Sequence, residues 1–149
     1  MAETIPLIVE REGSILTLRL NNAEKKNALN SEMMGAMMAS ISESQKFSEL
    51  RAIVIRGEGS VFCSGADLNE WEPGQLQELL KEITDCSLPT IALVHGSCLG
   101  GGMGLICACD FILAHEDTKF GFPEVRIGMI PGITGTLILA LCALFKNSK

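Results

Sequence analysis

Two long stretches without Asp, Glu, Lys or Arg most constrain the fold of this chain. They run from Cys86 to Cys109 and from Ile127 to Phe145. Each is long enough for a membrane-spanning helix and contains a GxxxG pattern. However, prolines and glycines interrupt both stretches at mid-length, where they break helices. Buried parallel strands and the helices that cover them have the same uncharged character, so we predict an α/β core and no membrane span.

Short apolar runs alternate with helical patterns along the chain. The predicted strands and short extended pieces are Leu7–Arg11, Ile15–Leu20, Arg51–Arg56, Thr90–His95, Asp110–Ala114, Lys119–Gly121 and Glu124–Ile127. Loops are predicted at Gly57–Ser64 and Gly96–Gly102, and helices from Asn30 or Ser31 through Ile41 and at Gln75–Asp85, Met103–Ala108 and Thr134–Phe145. This alternation predicts one α/β domain over residues 1–149 with a largely parallel sheet.

Charge excludes one class of partner. The formal net charge is −6 and no basic patch is visible, which argues against nucleic-acid binding. An anionic ligand would have to be held by local backbone N–H groups and one or two lysines. The N-terminal residues lack the basic and apolar regions of a targeting signal, so we expect a cytoplasmic location.

The cysteine pattern indicates buried reduced thiols. No two cysteines form a CxxC pair, and most lie in apolar runs. His95 and His115 lack ligand spacing to them, so we predict no metal site. The six cysteines are Cys63, Cys86, Cys98, Cys107, Cys109 and Cys142.

Glycine-rich segments mark the places where backbone could approach a ligand closely. The run Gly100-Gly101-Gly102 lies between a predicted strand and a predicted helix, where free N–H groups of the helix start could face an anion. Other glycine-loop motifs are absent from the sequence: it contains no GxxxxGK[ST], no GxGxxG that opens a helix after the first strand, and no GxSxG.

Four segments resemble, in order, the motifs of the crotonase superfamily of enoyl-CoA hydratases and isomerases. They are LNNAEKKNALN, VFCSGADLNE, HGSCLGGGMGLICACD and FGFPEVRIGMIPGITGT, and together they span about Leu20 to Thr136. The resemblance implies a spiral of ββα units, with the C-terminal helical part of the family missing from this chain. It also implies an acyl-CoA thioester as substrate, no further cofactor, and a homo-oligomer, a trimer or dimer of trimers at full length.

The same resemblance assigns the site residues. The backbone N–H groups of Ala66 and Gly101 would form an oxyanion hole for the thioester oxygen, and Glu124 would transfer protons. The residues expected to bind CoA or the acyl group are Lys25, Lys26 and Ala28 at the entrance, Ser64, Asp67 and Leu68 near the adenine, and Gly132.

One departure from the family bears on the reaction. Hydratases of the family carry a second glutamate two residues after the glycine triplet, where this chain has Gly104. We therefore favour a one-glutamate double-bond shift over two-glutamate hydration, while decarboxylation and one-acid hydration are also compatible with a single glutamate. The alternative is a catalytically weak or inactive CoA-binding or assembly module. The run Leu137–Phe145 is almost wholly apolar, so we expect the chain to self-associate.

Overall fold

The computed structural model describes residues 5–70, 72, 74–128, 130 and 135. The strands in chain order are β1 (Leu7–Glu12), β2 (Ile15–Leu20), β3 (Ala52–Gly57), β4 (Thr90–Val94), β5 (Ser97–Leu99), β6 (Phe111–Ala114) and β7 (Lys119–Gly121). The helices are α1 (Ser31–Ser44), α2 (Gln75–Thr84) and α3 (Gly101–Ala108), with 3₁₀ turns at Ala23–Lys25 and Pro123–Ile127.

The main sheet has five strands in the order β1-β2-β3-β4-β6. Strands β1 and β2 form an antiparallel hairpin, and every later pairing in this sheet is parallel. A second, two-stranded parallel sheet joins β5 to β7. The predicted α/β architecture with a largely parallel sheet is therefore confirmed.

Helix α1 begins where the sequence predicts it. The side chain of Asn30 accepts a hydrogen bond of 2.9 Å from the backbone N–H of Met33, which satisfies one free donor at the helix start. Apolar residues at helical spacing then face the core. The fully buried side chains on this helix are Met33, Met34, Met37 and Ile41.

The core lies between the main sheet and its helices. Helix α1 packs against α2 and against strands β1 and β2, and α2 packs against α3. From the sheet, Leu18, Ile53 and Ile55 are completely buried between these layers. Helix α3 buries most of its residues, which explains its lack of charge. The carboxyl ends of the parallel strands lead into the loops that carry the candidate site.

Two segments of the chain differ from the sequence prediction. The predicted loop Gly96–Gly102 contains strand β5, and helix α3 begins at Gly101 instead of Met103. The predicted extended piece Glu124–Ile127 is part of a 3₁₀ turn that starts at Pro123. Proline at the first helical position supplies the required φ and needs no N–H partner, so it favours this turn.

In the described part of the chain, four cysteines are free thiols: Cys63, Cys86, Cys98 and Cys109. Cys63 and Cys98 are completely buried. Among the described residues, no helix is long and apolar enough to cross a membrane. Apart from Gly135, the predicted helix Thr134–Phe145 lies outside the described residues, and so does Cys142.

Candidate active site

Backbone hydrogen bonds join the two loops that were predicted to bind CoA. The N–H of Leu29 donates to the carbonyl of Gly65 at 2.8 Å, and that of Asp67 donates to Leu29 at 2.9 Å. The N–H of Ser64 also donates to the carbonyl of Lys26 at 3.0 Å. The structure thus brings the predicted entrance residues and the predicted adenine residues together along one backbone seam.

Asn27 supports this seam, and the sequence analysis missed it. It is completely buried, with φ at +54°. Its side-chain amide donates to the carbonyls of Glu58 at 2.8 Å and Val61 at 2.9 Å and accepts from the N–H of Asn22 at 2.9 Å. Asparagine tolerates the left-handed conformation and bonds to nearby backbone, so an Asn after two lysines in a loop was the available signal.

The two predicted lysines have different environments. The Nζ of Lys25 lies 3.1 Å from Oδ2 of Asp67 and 2.8 Å from Oε1 of Glu70. These contacts raise the pKa of Lys25, with the Glu70 hydrogen bond as the larger cause. In the described structure, the exposed Lys26 ammonium makes no ion pair. The charge of Lys25 is therefore already balanced, whereas that of Lys26 is available.

The pKa of Asp67 is lowered, first by a hydrogen bond from the N–H of Asn69 and then by Lys25. The pKa of Glu70 is lowered by Lys25 and then by the side chain of Asn30. A carboxyl whose folded pKa is lowered contributes stability above its ordinary pKa, and this stability is lost as the pH falls through the lowered value. The cluster therefore holds the two loops together at neutral pH.

Ala66 and Gly101 lie side by side. A β-carbon built on Gly101 would be 3.2 Å from the backbone nitrogen of Ala66, and one built on Gly65 would be 3.5 Å from the nitrogen of Gly101. Within the described chain, neither the Ala66 N–H nor the Gly101 N–H donates a hydrogen bond. Gly101 is also the first residue of α3, where the amide dipoles favour an anion. Two free donors, one of them at a helix start, can hold an oxygen that gains negative charge.

The carboxylate of Glu124 reaches the same place. Glu124 is half-buried in the 3₁₀ turn after β7. Its Oε1 lies 2.9 Å from where a β-carbon on Gly100 would stand. Its Oε2 is buried and has no hydrogen-bond partner among the residues that the structure describes. An unpaired buried carboxylate oxygen beside free N–H donors can accept a proton from a bound molecule.

The other residues that were singled out in the sequence differ in their exposure and position. Leu68 is 54% exposed, and Ala28 is half-buried in the entrance loop. Gly104 is buried in α3, three residues beyond Gly101. Gly132 lies outside the described residues.

The buried thiols near this site are poor nucleophiles. Burial raises the pKa of the Cys63 thiol to about 12 and also raises that of Cys98. Because the thiolate is the reactive form, neither thiol is activated at neutral pH. No group of three or more metal-ligating His, Cys, Asp or Glu side chains occurs in the described ranges. The available chemistry is therefore that of two amide donors and one carboxylate.

Comparison with known proteins identifies the family of this site. The family model for enoyl-CoA hydratase/isomerase matches residues 10–143. The chain is 36% identical over 143 residues to a probable enoyl-CoA hydratase of Bacillus subtilis, covering 89% of this chain and 54% of that protein. It is 34% identical over 137 residues to the cyclohexa-1,5-dienecarbonyl-CoA hydratase of Thauera aromatica, covering 87% of this chain and 53% of that protein.

Solved structures give the same result for the fold. An enoyl-CoA hydratase/isomerase from Marinobacter aquaeolei superposes with a TM-score of 0.83 at 27% identity, covering 91% of this chain and 58% of that one. The predicted crotonase-like fold is thereby confirmed. The chain spans about half the length of the curated relatives that it matches.

Proposed function

The chain belongs to the enoyl-CoA hydratase/isomerase family, and from this premise we propose that it binds an acyl-CoA thioester and stabilises its enolate. One observation carries the proposal. The free N–H groups of Ala66 and Gly101 lie next to each other, and the unpaired carboxylate of Glu124 lies at the adjoining Gly100. A thioester oxygen held by the two donors would place its α-carbon near the acid.

The two amides would act on the charge that develops during the reaction. Removal of an α-proton from an acyl-CoA moves an electron pair into the thioester carbonyl, and the oxygen becomes an enolate. Donors that are already oriented stabilise this oxygen without reorganisation, at about 3–4 kcal/mol for each donor. Because the N–H groups belong to the backbone, small residues such as Ala66 and Gly101 are sufficient.

Glu124 would transfer the proton. In a double-bond shift, its carboxylate removes a proton from C2 of a 3-enoyl-CoA, and the electron pair moves into the thioester. The resulting carboxylic acid then gives the proton to C4, which yields the 2-enoyl-CoA and restores the carboxylate. One acid is enough for this reaction. It suits a chain in which glycine stands at position 104.

Hydration is the second candidate. The two curated relatives described above are both named as hydratases. With Gly104 in place of a second glutamate, Glu124 alone would have to activate the water and protonate the α-carbon. A CoA-binding module with little or no catalysis is the third outcome that an assay can reveal.

A panel of acyl-CoA substrates distinguishes these outcomes. We expect wild-type chain to shift the double bond of a 3-enoyl-CoA faster than it hydrates crotonyl-CoA. Gly104→Glu should raise the hydration rate, because a second carboxylate could hold a water opposite Glu124. Initial rates of both reactions measure the effect. Faster hydration than double-bond shift in wild type contradicts the one-acid proposal, and binding without either reaction supports the module.

The two lysines should have separable effects. We expect Lys26→Met to weaken CoA binding about two- to fivefold, which is typical of an exposed charge pair, and to leave the melting temperature unchanged. Lys25→Met should lower the melting temperature, because it leaves Asp67 and Glu70 without their cation. Calorimetry with acetyl-CoA and thermal unfolding measure the two effects.

Lys46→Met is the matched control for the lysines, since the exposed Lys46 forms an ion pair with Glu43 on α1. It should change CoA binding by no more than the error of the measurement. If Lys26→Met binds CoA as wild type does, Lys26 does not contact the phosphates.

We further propose that the protein forms homo-oligomers. The support is strand β6 at the edge of the main sheet, where Phe111 is 60% exposed and Leu113 is 63% exposed. Exposed apolar side chains on an edge strand favour association. Sedimentation velocity of the chain measures this directly. A cytoplasmic location and the absence of a further cofactor stay predictions.

A further inference from the structure

The position of the Glu124 carboxylate depends on packing against one glycine. Its Oε2 has no hydrogen-bond partner in the described part of the chain. On the other side, a β-carbon on Gly100 would lie 2.9 Å from Oε1 and 3.5 Å from the carboxyl carbon. A separation of 2.9 Å is shorter than a van der Waals contact, so the carboxylate occupies space that a side chain at position 100 would need.

Gly100 also has a backbone conformation that other residues rarely adopt. Its φ is +50° and its ψ is −119°. The Cα of Gly65 would make an ordinary contact of 3.6 Å with a β-carbon at position 100, and Gly65 likewise has a positive φ of +114°. Glycine at position 100 therefore permits the positive φ and leaves room for the Glu124 carboxylate.

The segment that leads to Glu124 is hydrogen-bonded to Gly100. The N–H of Gly100 donates to the carbonyl of Gly121 at 3.0 Å. This bond continues the pairing of β5 with β7, in which Leu99 lies opposite Gly121. Glu124 follows three residues later, in the 3₁₀ turn that begins at Pro123, so this pairing places the turn beside Gly100.

We propose that Gly100 is a positioning residue, whose bare Cα sets the distance between the Glu124 carboxylate and the N–H of Gly101. The catalytic consequence rests on the proposed function, while the packing itself does not. A side chain at position 100 would push the carboxylate away from the oxyanion hole. Misplacement by about 1 Å can cost about 10²-fold in rate.

A double-mutant cycle in stability tests the packing without any assay of activity. Urea unfolding is measured for the 149-residue chain as wild type, Gly100→Ala, Glu124→Ala and the double variant. We expect Gly100→Ala to lower the midpoint more when Glu124 is present than when it is Ala. Gly13→Ala is the control for backbone strain, because Gly13 has a φ of +58° and no atom within 4 Å of its β-carbon position. Gly13→Ala should lower the urea midpoint by the same amount whether residue 124 is Glu or Ala.

Two results of the cycle overturn the proposal. One is an equal loss from Gly100→Ala in both backgrounds, which means that only backbone strain is involved. The other is a Gly100→Ala variant that fails to fold and is not recovered by Glu124→Ala. If the single variant fails to fold and the double variant folds, the contact with Glu124 is the cause and the proposal is supported.

A kinetic experiment with the shorter acid aspartate at position 124 tests the effect on catalysis. We expect Gly100→Ala to lower kcat about 10²-fold with little change in KM. Glu124→Asp, which withdraws the carboxylate by one methylene, should slow the wild type but raise kcat in the Gly100→Ala background. A double variant no faster than Gly100→Ala overturns the positioning role. If wild type has no turnover, the proposed function fails, and the stability cycle still decides whether Gly100 positions Glu124.

Discussion

Glu124→Gln is expected to lower the turnover of an enoyl-CoA by about 10²–10⁴-fold, the range typical of a general acid–base group. The amide has nearly the shape of the carboxylate but cannot take up a proton at neutral pH. Binding of the CoA ester should change little, because the substitution keeps the side-chain shape and the loops at Lys25–Ala28 and Ser64–Leu68 are joined by backbone hydrogen bonds that do not involve Glu124. Steady-state kinetics of kcat and calorimetry with acetyl-CoA measure the two effects separately.

The same variant should keep some catalysis. Ala66 and Gly101 act through their backbone N–H groups, which the substitution does not alter. Glu116→Gln is the matched control, since Glu116 is an exposed glutamate in the turn between β6 and β7. It should leave kcat unchanged. Full activity of Glu124→Gln would remove Glu124 from the reaction and leave the chain without an identified acid.

Gly96→Ala is expected to lower the free energy of unfolding by about 3–5 kcal/mol, the sum of a strained backbone and an overpacked contact. The φ of Gly96 is +62°, and a β-carbon there would lie 2.0 Å from the carbonyl oxygen of Ser60 and 3.0 Å from the Cα of Val61. These are backbone atoms and cannot rotate away. Urea unfolding measures the loss, which would remove a large part of the stability of a typical domain.

Neighbouring hydrogen bonds prevent relaxation at this position. The carbonyl of Gly96 accepts from the N–H of Lys119 at 2.8 Å, and the carbonyl of His95 accepts from the N–H of Phe62 at 3.0 Å. Gly13→Ala, which meets no neighbour, should cost only the left-handed conformation, about 1–2 kcal/mol. An equal loss for the two variants would show that the contact with Ser60 is relieved by movement of the loop.

Elements with a local signal could be predicted from the sequence. The turn residues Glu12-Gly13-Ser14 indicate the hairpin of β1 and β2. The capping side chain of Asn30 indicates the start of α1, and a preceding proline indicates β4. Strand β5 could not be predicted. Its three residues have no pattern of their own, and its partner β7 lies about twenty residues further along the chain. Hydrogen bonds to a distant strand produced it.

For the candidate site, too, some features could be predicted from the sequence and others could not. Its residue types and their order, with Ala66, Gly101 and Glu124 in separate motifs, were readable from the sequence, and so was the glycine at position 104. The sequence could not show that Lys25 forms ion pairs with Asp67 and Glu70 whereas Lys26 remains available. Adjacent lysines have the same composition and spacing, and only the folded positions of two distant carboxylates distinguish them.

The alternation of strands and helices and the cap of α1 could be predicted from the amino-acid sequence, because they depend on neighbouring residues. The candidate donors and the candidate acid were assigned by the resemblance of their motifs to those of the crotonase superfamily. Only the folded structure shows that the backbone nitrogen of Ala66 lies beside Gly101 and that the Glu124 carboxylate lies against Gly100. Those contacts join residues from three separate segments. Their distances are set by the registers of β5 with β7 and of Leu29 with Ala66, which are properties of the packed sheet and loops.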